Sequence, residues 1–384
     1  MLLNAILAAA VAMTAQASPA PQMPAPAAIL KSTERVATWQ LDHRNAFEHM
    51  PAASRSVRDP RDWQQATFWV ALTELADRSR DPAYARAIVE LGRAQRWRLG
   101  DKAFHADDQL IAQAWIWAAA HGAGSEAVVP AKAYFDAVLA NPPVGDLVFR
   151  PNPSGHGDPI CTQRWCWADA LFMAPPTLLQ FSRATRDPRY ARFAHEEFRA
   201  TTDYLYDRKD RLFFRDSRFF ERRDAKGRKL FWSRGNGWVM AGLVRILDEL
   251  PKTDPQRAYY VGLFRDMAAR IVGLQKPDGF WAPSLLDDGK DTPPETSGTA
   301  FFTYAFAWGV DVGILDAQTY RPAAIRGWGA LERSVQPDGM LGWVQQVSDR
   351  PDSVAASDTQ FYGAGAYVLA GTALYDLSRH GAAR

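Results

Sequence analysis

SRGNGWVMAGLVRIL, residues 233–247, is a polar, glycine-broken loop that runs directly into an apolar helix-forming stretch. It decides the fold because it is one of six such runs. The others are DWQQATFWVALTELA (62–76), DDQLIAQAWIWAAA (107–120), WADALFMAPPTLLQF (167–181), ETSGTAFFTYAFAWGV (295–310) and DTQFYGAGAYVLAGTAL (358–374). Counted from Trp63, the starts lie about 44, 60, 66, 62 and 63 residues apart, roughly two helices plus loops. A period of that length signals a repeat architecture. Each run is apolar nearly all round and rich in small residues, as a helix covered on most sides must be.

Between the runs lie more polar amphipathic segments, near 34–47, 82–96, 125–140, 188–206, 255–275 and 319–335, each suited to an outer helix with one apolar stripe. Three of them follow Asp-Pro, at Asp81-Pro82, Asp187-Pro188 and Asp254-Pro255. Asp caps a helix there, and Pro fits the first turn because its missing N–H would lack a partner anyway. Six helical hairpins closing on themselves predict an all-α fold, an (α/α)6 toroid. An irregular helical bundle is the alternative, and it has no reason to keep even spacing.

The chain of 384 residues carries 45 basic and 43 acidic side chains, a net charge of +2, which gives no basic face for nucleic acid or a membrane. No internal linker breaks residues 31–384, so one domain is expected there. Residues 1–17, MLLNAILAAAVAMTAQA, end in a small-x-small pattern and are too short to span a bilayer, which predicts a secretory signal and a periplasmic or secreted protein. The Pro/Ala-rich residues 18–30 are expected to form a tether. Cys161 and Cys166 are the only cysteines. Their spacing permits a disulfide in an oxidising compartment, and two buried thiols satisfy the sequence equally. Nothing in the pattern calls for a metal or another cofactor.

In a toroid the inner helices all start at one end, so the chemistry belongs there. Asp107 and Asp108 open one run, Asp169 lies in the next, Glu295 and Asp358 open two more, and Arg234 and Trp238 share a helical face. An acid at a helix start is often only a cap. Asp169 sits between Trp165-Cys166-Trp167 and Leu171-Phe172-Met173, an apolar setting that raises a carboxyl pKa and keeps a proton available near neutral pH. Successive helical residues point about 100° apart, so one of Asp107 and Asp108 faces the cleft; Asp107 is the expected one. The tryptophans at helix starts, Trp63, Trp167, Trp232 and Trp238, suit the faces of sugars, or else pack the helix walls.

Trp167-Ala168-Asp169-Ala170-Leu171-Phe172-Met173-Ala174-Pro175-Pro176, then Trp232-Ser233-Arg234-Gly235-Asn236-Gly237-Trp238, then Asp278-Gly279-Phe280-Trp281 with Glu295-Thr296-Ser297-Gly298, resemble in order the unsaturated glycuronyl hydrolases of glycoside hydrolase families 105 and 88. The resemblance spans about residues 34–377, and the Trp-Ser-Arg-Gly-Asn-Gly-Trp run leans toward family 105. It implies the six-hairpin toroid and an oligosaccharide substrate ending in a 4,5-unsaturated uronic acid. It also implies a reaction that hydrates the ring double bond, with Asp169 as acid/base, Asp107 as the second aspartate, and Arg234, Trp232 and Trp238 at the substrate. An Arg suits a uronate carboxylate, which a guanidinium holds bidentately, though Arg234 could instead pair with a helix-start acid. Asp108, His105 and Glu295 complete the candidate substrate contacts; His105 stands in for a family His, for which His156 is the nearest match in sequence.

Two other classes use this fold or these residues. Sugar epimerases on α/α toroids use histidine pairs, and no inner-helix run here carries an internal His at its start. A glycan-binding toroid would keep the tryptophans but has no need of a buried acid. The sequence leaves oligomeric state and the leaving sugar open.

Overall fold

The structure is a computed structural model, and it describes residues 22–50, 58–152, 154, 158–289 and 292–382. The expected signal segment, residues 18–21 of the tether, and His156 lie outside the described residues. Outer helices α1 (Pro26–Asp42), α3 (Ala83–Ala94), α6 (Val129–Ala140), α9 (Pro188–Leu205), α11 (Arg257–Ile271) and α13 (Ala317–Glu332) alternate with inner ones. The inner helices are α2 (Trp63–Ala76), α5 (Ala112–Ala118), α8 (Pro175–Thr185), α10 (Ser233–Glu249), α12 (Thr296–Asp311) and α14 (Phe361–Ala382). Each inner helix packs against the next, α14 returns to α2, and α1 covers α14, so the ring closes. This is the (α/α)6 toroid expected from the spacing.

Burial follows the two layers. In α3 only Tyr84, Ile88 and Gly92 are buried, one residue every four, a single stripe facing inward. In α10 every residue from Ser233 to Leu247 is buried, and in α12 every residue from Thr296 to Val310. Such crowding needs small residues: a Cβ on Gly242 would stand 2.3 Å from the carbonyl oxygen of Leu171, and one on Gly298 would stand 2.2 Å from Ser233 Oγ. Of the three Asp-Pro signals, Asp187 caps its helix by accepting the Arg189 N–H, whereas Asp81 and Asp254 stand just ahead of the cap positions of α3 and α11 and accept the N–H of Ala83 and Gln256 in the turns that lead in.

Several boundaries differ from expectation. The tether does not reach residue 30: Pro26 starts α1, because Pro suits a first turn and Ile29 reaches the core. Two inner runs are broken, with α4 (Ala106–Gln109) ahead of α5 and α7 (Ala170–Met173) ahead of α8. Pro175 and Pro176 account for the second break, since neither has an N–H to continue the backbone hydrogen bonds of α7. Asp358 does not open the last inner helix; its carboxylate accepts the N–H of Ala355 in the preceding loop. No helix among the described residues is long and apolar enough to cross a membrane.

Candidate active site

At the mouth formed by the N-terminal ends of the inner helices lies a cavity of about 530 Å³. Asp107, Asp169, Trp63, Trp167, Trp232 and Trp238 line it with Met173, Arg215 and the wall segment Val347 to Asp352. Four of the sequence-predicted site residues therefore converge: Asp107, Asp169, Trp232 and Trp238.

Local structure explains how Asp169 is held. Trp165 adopts left-handed backbone geometry, φ 54°, which a non-glycine residue takes only when its surroundings fix it. The Cys161–Cys166 disulfide spans this position, and Thr201 Oγ1 donates to the Trp165 carbonyl at 2.9 Å. The cysteines are thus bonded to each other, the first of the two alternatives. Beyond them Ala168 N–H donates to the carbonyl of Arg215 at 2.8 Å, and Asp169 forms the cap position of α7.

Arg215 is the residue that sequence reasoning missed. It follows the hairpin β1 (Tyr206–Asp207) and β2 (Leu212–Phe213), whose end is gripped by Asn236: the Asn236 amide accepts from Phe213 N–H at 2.8 Å and donates to the Phe213 carbonyl at 3.0 Å. Arg215 Nε then donates to Asp169 Oδ2 at 3.1 Å, and Nη1 donates to Asp216 at 2.8 Å. Fully buried Asp216 also takes Arg218, which reaches Asp349 in the wall at 2.8 Å. A sequence signal existed. Arg215-Asp216 stands between Phe213-Phe214 and Phe219-Phe220, and charges embedded in aromatics require partners.

Burial raises the Asp169 carboxyl above the usual carboxylate range, opposed by the guanidinium of Arg215 and, more weakly, that of Arg234. Asp107 is pushed up strongly, first by burial and then by the negative charges of Asp62, Asp169 and Asp108. The pocket therefore holds two carboxyls raised above the usual range beside the guanidinium of Arg215, among indole faces. That combination suits acid/base work on a sugar that carries an anion.

The other predicted contacts lie elsewhere. Asp108 points out of the pocket and accepts the Lys102 N–H at 2.8 Å, the cap-like role expected of the outward member of the pair. His105 lies behind the wall, its ring 4.9 Å from that of Trp167 and its Nδ1 3.8 Å from Asp107, and burial pushes its pKa down to about 4. Arg234 does not line the pocket. Its guanidinium sits between the rings of Trp232 and Tyr362 and donates to the carbonyls of Gln345 and Gln346. A buried arginine is most cheaply satisfied by fixed carbonyls, and here those carbonyls belong to the wall. Glu295 is fully buried as the cap of α12, accepting from Ser297 N–H, Ser297 Oγ and Gly298 N–H. Neither Arg234 nor Glu295 can reach a sugar in this arrangement; both hold the wall in place.

Comparison with known proteins identifies the family. The model of Glycosyl Hydrolase Family 88 matches residues 32–378. A relative from Alteromonas sp. (strain LOR), an "Unsaturated 3S-rhamnoglycuronyl hydrolase", is 39% identical over 343 residues, 88% of this chain and 83% of that protein. A protein of the same name from Formosa agariphila is 35% identical, over 83% of this chain and 85% of its own length. Among solved structures, a family 88 glycosyl hydrolase from Bacteroides vulgatus superposes with a TM-score of 0.78 at 25% identity, covering 92% of this chain and all of that one. The matching model is that of family 88, and the lean toward family 105 drawn from the Trp-Ser-Arg-Gly-Asn-Gly-Trp run is not carried by it. The chain belongs to glycosyl hydrolase family 88.

Proposed function

We propose that this glycoside hydrolase removes a terminal 4,5-unsaturated uronyl residue from lyase-generated oligosaccharides in which the next sugar is rhamnose. The observation that carries the reading is the pairing of Asp107, partly buried, and Asp169, buried, two carboxyls with raised pKa values, in one tryptophan-lined pocket. The names of the two relatives support rhamnose as the neighbouring sugar. The finer, rhamnogalacturonan-type specificity associated with family 105 is the alternative leaving group.

Asp169 serves as the acid. Protonation of carbon 4 of the enol ether places positive charge at carbon 5, water adds there with its proton returning to Asp169, and the resulting hemiketal opens to release the neighbouring sugar. One carboxyl thus acts as acid and then base, so the carboxylate separation that sorts ordinary glycosidases does not govern the outcome. Asp107 hydrogen-bonds the ring in its neutral form. Trp63, Trp167, Trp232 and Trp238 supply apolar faces and exclude water. Export to an oxidising compartment is part of the proposal, supported by the Cys161–Cys166 disulfide and the signal-like residues 1–17; cell fractionation tests it.

The assay is loss of the double-bond absorbance on a panel of lyase products: unsaturated uronyl-rhamnose with and without sulfate, unsaturated rhamnogalacturonan disaccharide, and unsaturated uronides of amino sugars. Fastest turnover on a uronyl-rhamnose product is expected. Binding without loss of the absorbance would point to a non-catalytic glycan binder, and preference for an amino sugar would overturn the choice of leaving group.

A further inference from the structure

Arg215 meets Asp169 through Nε and Asp216 through Nη1, while its Nη2 makes no hydrogen bond among the described residues and the guanidinium lines the cavity. Asp216 is fully buried, and Arg218 holds it from the other side, so Arg215 stays anchored if Asp169 lets go. The Nε/Nη2 edge is therefore a carboxylate-sized fork facing the pocket, half occupied by the catalytic acid. Arg234, the other arginine that the sequence offers for this task, is committed to backbone carbonyls.

We propose that Arg215 is the uronate-binding residue of this pocket, and that the substrate carboxylate takes Arg215 from Asp169, so that Asp169 acquires its catalytic proton on substrate binding. The idea rests on the unsaturated-uronide reading above. A second carboxylate brought against one guanidinium leaves a negative charge unpaired in a buried site, and taking a proton from solvent onto Asp169 removes it. That proton is the one later delivered to carbon 4. The other charges facing Asp169 and Arg215 do not offer an escape: Arg218 is held by Asp216 and Asp349, Arg234 by the wall, and Asp107 is an acid itself. Asp349, Arg350 and Asp352 line the cavity from the wall segment, and neither Arg350 nor Asp352 makes an ion pair with Asp169. Burial raises the Asp169 carboxyl, and Arg215 is the largest charge holding it down.

The test is the pH dependence of the two kinetic constants with an unsaturated uronyl-rhamnose disaccharide. Asp169 works protonated, so both constants fall as pH rises; kcat/KM reports the free enzyme and kcat the complex. In the wild type the falling limb of kcat is expected at least about one pH unit above that of kcat/KM, the size of effect a neighbouring opposite charge produces. In Arg215→Gln, KM should rise and the kcat/KM limb should move up to meet that of kcat. Coincident limbs in the wild type, or an unchanged gap in Arg215→Gln, overturn the proposal. Where circular dichroism shows that variant unfolded, calorimetry on the wild type decides: titration with a saturated glucuronyl-rhamnose disaccharide in two buffers of different ionisation enthalpy should show proton uptake, and none refutes it. A wild type that consumes no unsaturated uronide removes the substrate reading itself; turnover with coincident limbs removes only the role of Arg215.

Discussion

Arg234 and Gln345 are joined by a 2.6 Å hydrogen bond from guanidinium to backbone carbonyl, and a second bond of 2.8 Å runs to Gln346. Trp232 Nε1 and Tyr362 Oη grip the same Gln345, the first through its side chain and the second through its carbonyl. One glutamine thus ties α10, α14 and the pocket wall together, and the wall carries Val347 to Asp352 into the cavity.

The first prediction concerns that brace. Arg234→Ala removes a fully buried cation and its hydrogen bonds to two wall carbonyls, of which that of Gln345 keeps the bond from Tyr362 Oη. The cost should be about 2–4 kcal/mol, since two hydrogen bonds from a charged group are lost and each contributes more than a neutral one. Arg234→Lys should recover little, because one ammonium cannot span both carbonyls and lie flat between two rings. Chemical denaturation measures both variants. An Arg234→Ala protein of wild-type stability with lost substrate binding would return Arg234 to the pocket.

The fold was legible because two periods were written into the sequence, the repeat of about sixty residues and the contrast between all-round apolar runs and single stripes. Asp169 and Asp107 were legible for a related reason: acids inside or against aromatic runs at helix starts have few purely structural uses. Arg234 was not, because an arginine two residues after Trp232 reads the same whether it points into the pocket or toward its wall. The partner carbonyls at Gln345 and Gln346 lie more than a hundred residues away. Arg215 was hidden because its position depends on Asn236 gripping Phe213, a contact no helical period announces.

The second prediction separates the adjacent acids. Asp107 lines the cavity, whereas Asp108 accepts the Lys102 N–H and packs where Gly100 approaches it closely. Asp107→Asn should lower turnover by about 10²-fold or more with the fold intact. Asp108→Asn should keep turnover within a few-fold and leave stability at neutral pH unchanged or slightly raised, because the amide oxygen can still accept the Lys102 N–H and burial already disfavours the charged carboxylate. The reverse ranking of activities would exchange the two roles.

The third prediction is a linkage effect at Asp62, the cap of α2. Burial, followed by the charges of Asp108 and Asp59, pushes its pKa from 3.8 up to about 6. The native state therefore binds this proton more tightly than the unfolded chain, so the group's contribution is most favourable below the unfolded value and is lost as pH rises toward about 6. Asn caps a helix as well as Asp does and carries no charge. Asp62→Asn should gain roughly 1–3 kcal/mol over the wild type at pH 7.5, with the gap closing near pH 4. Urea midpoints at the two pH values give the answer, and parallel curves would show that Asp62 pays nothing for its burial.

The last prediction ties one residue to the chemical step. Asp169→Asn preserves shape and can still accept from Arg215 Nε, but it has no proton to give. Turnover should fall by the ~10²- to 10⁴-fold typical of general acid-base catalysis, while the substrate still binds. Folding should survive, because burial already disfavours the charged form that the substitution removes. Double-bond absorbance on an unsaturated uronyl-rhamnose disaccharide reads turnover, and circular dichroism reads the fold. The loss should appear in kcat at saturating substrate, since an acid used only in the transition state contributes nothing to ground-state binding. A folded Asp169→Asn enzyme with near wild-type turnover would place the proton donor elsewhere, and Asp107, whose carboxyl is also raised by burial, would then be the group to replace next.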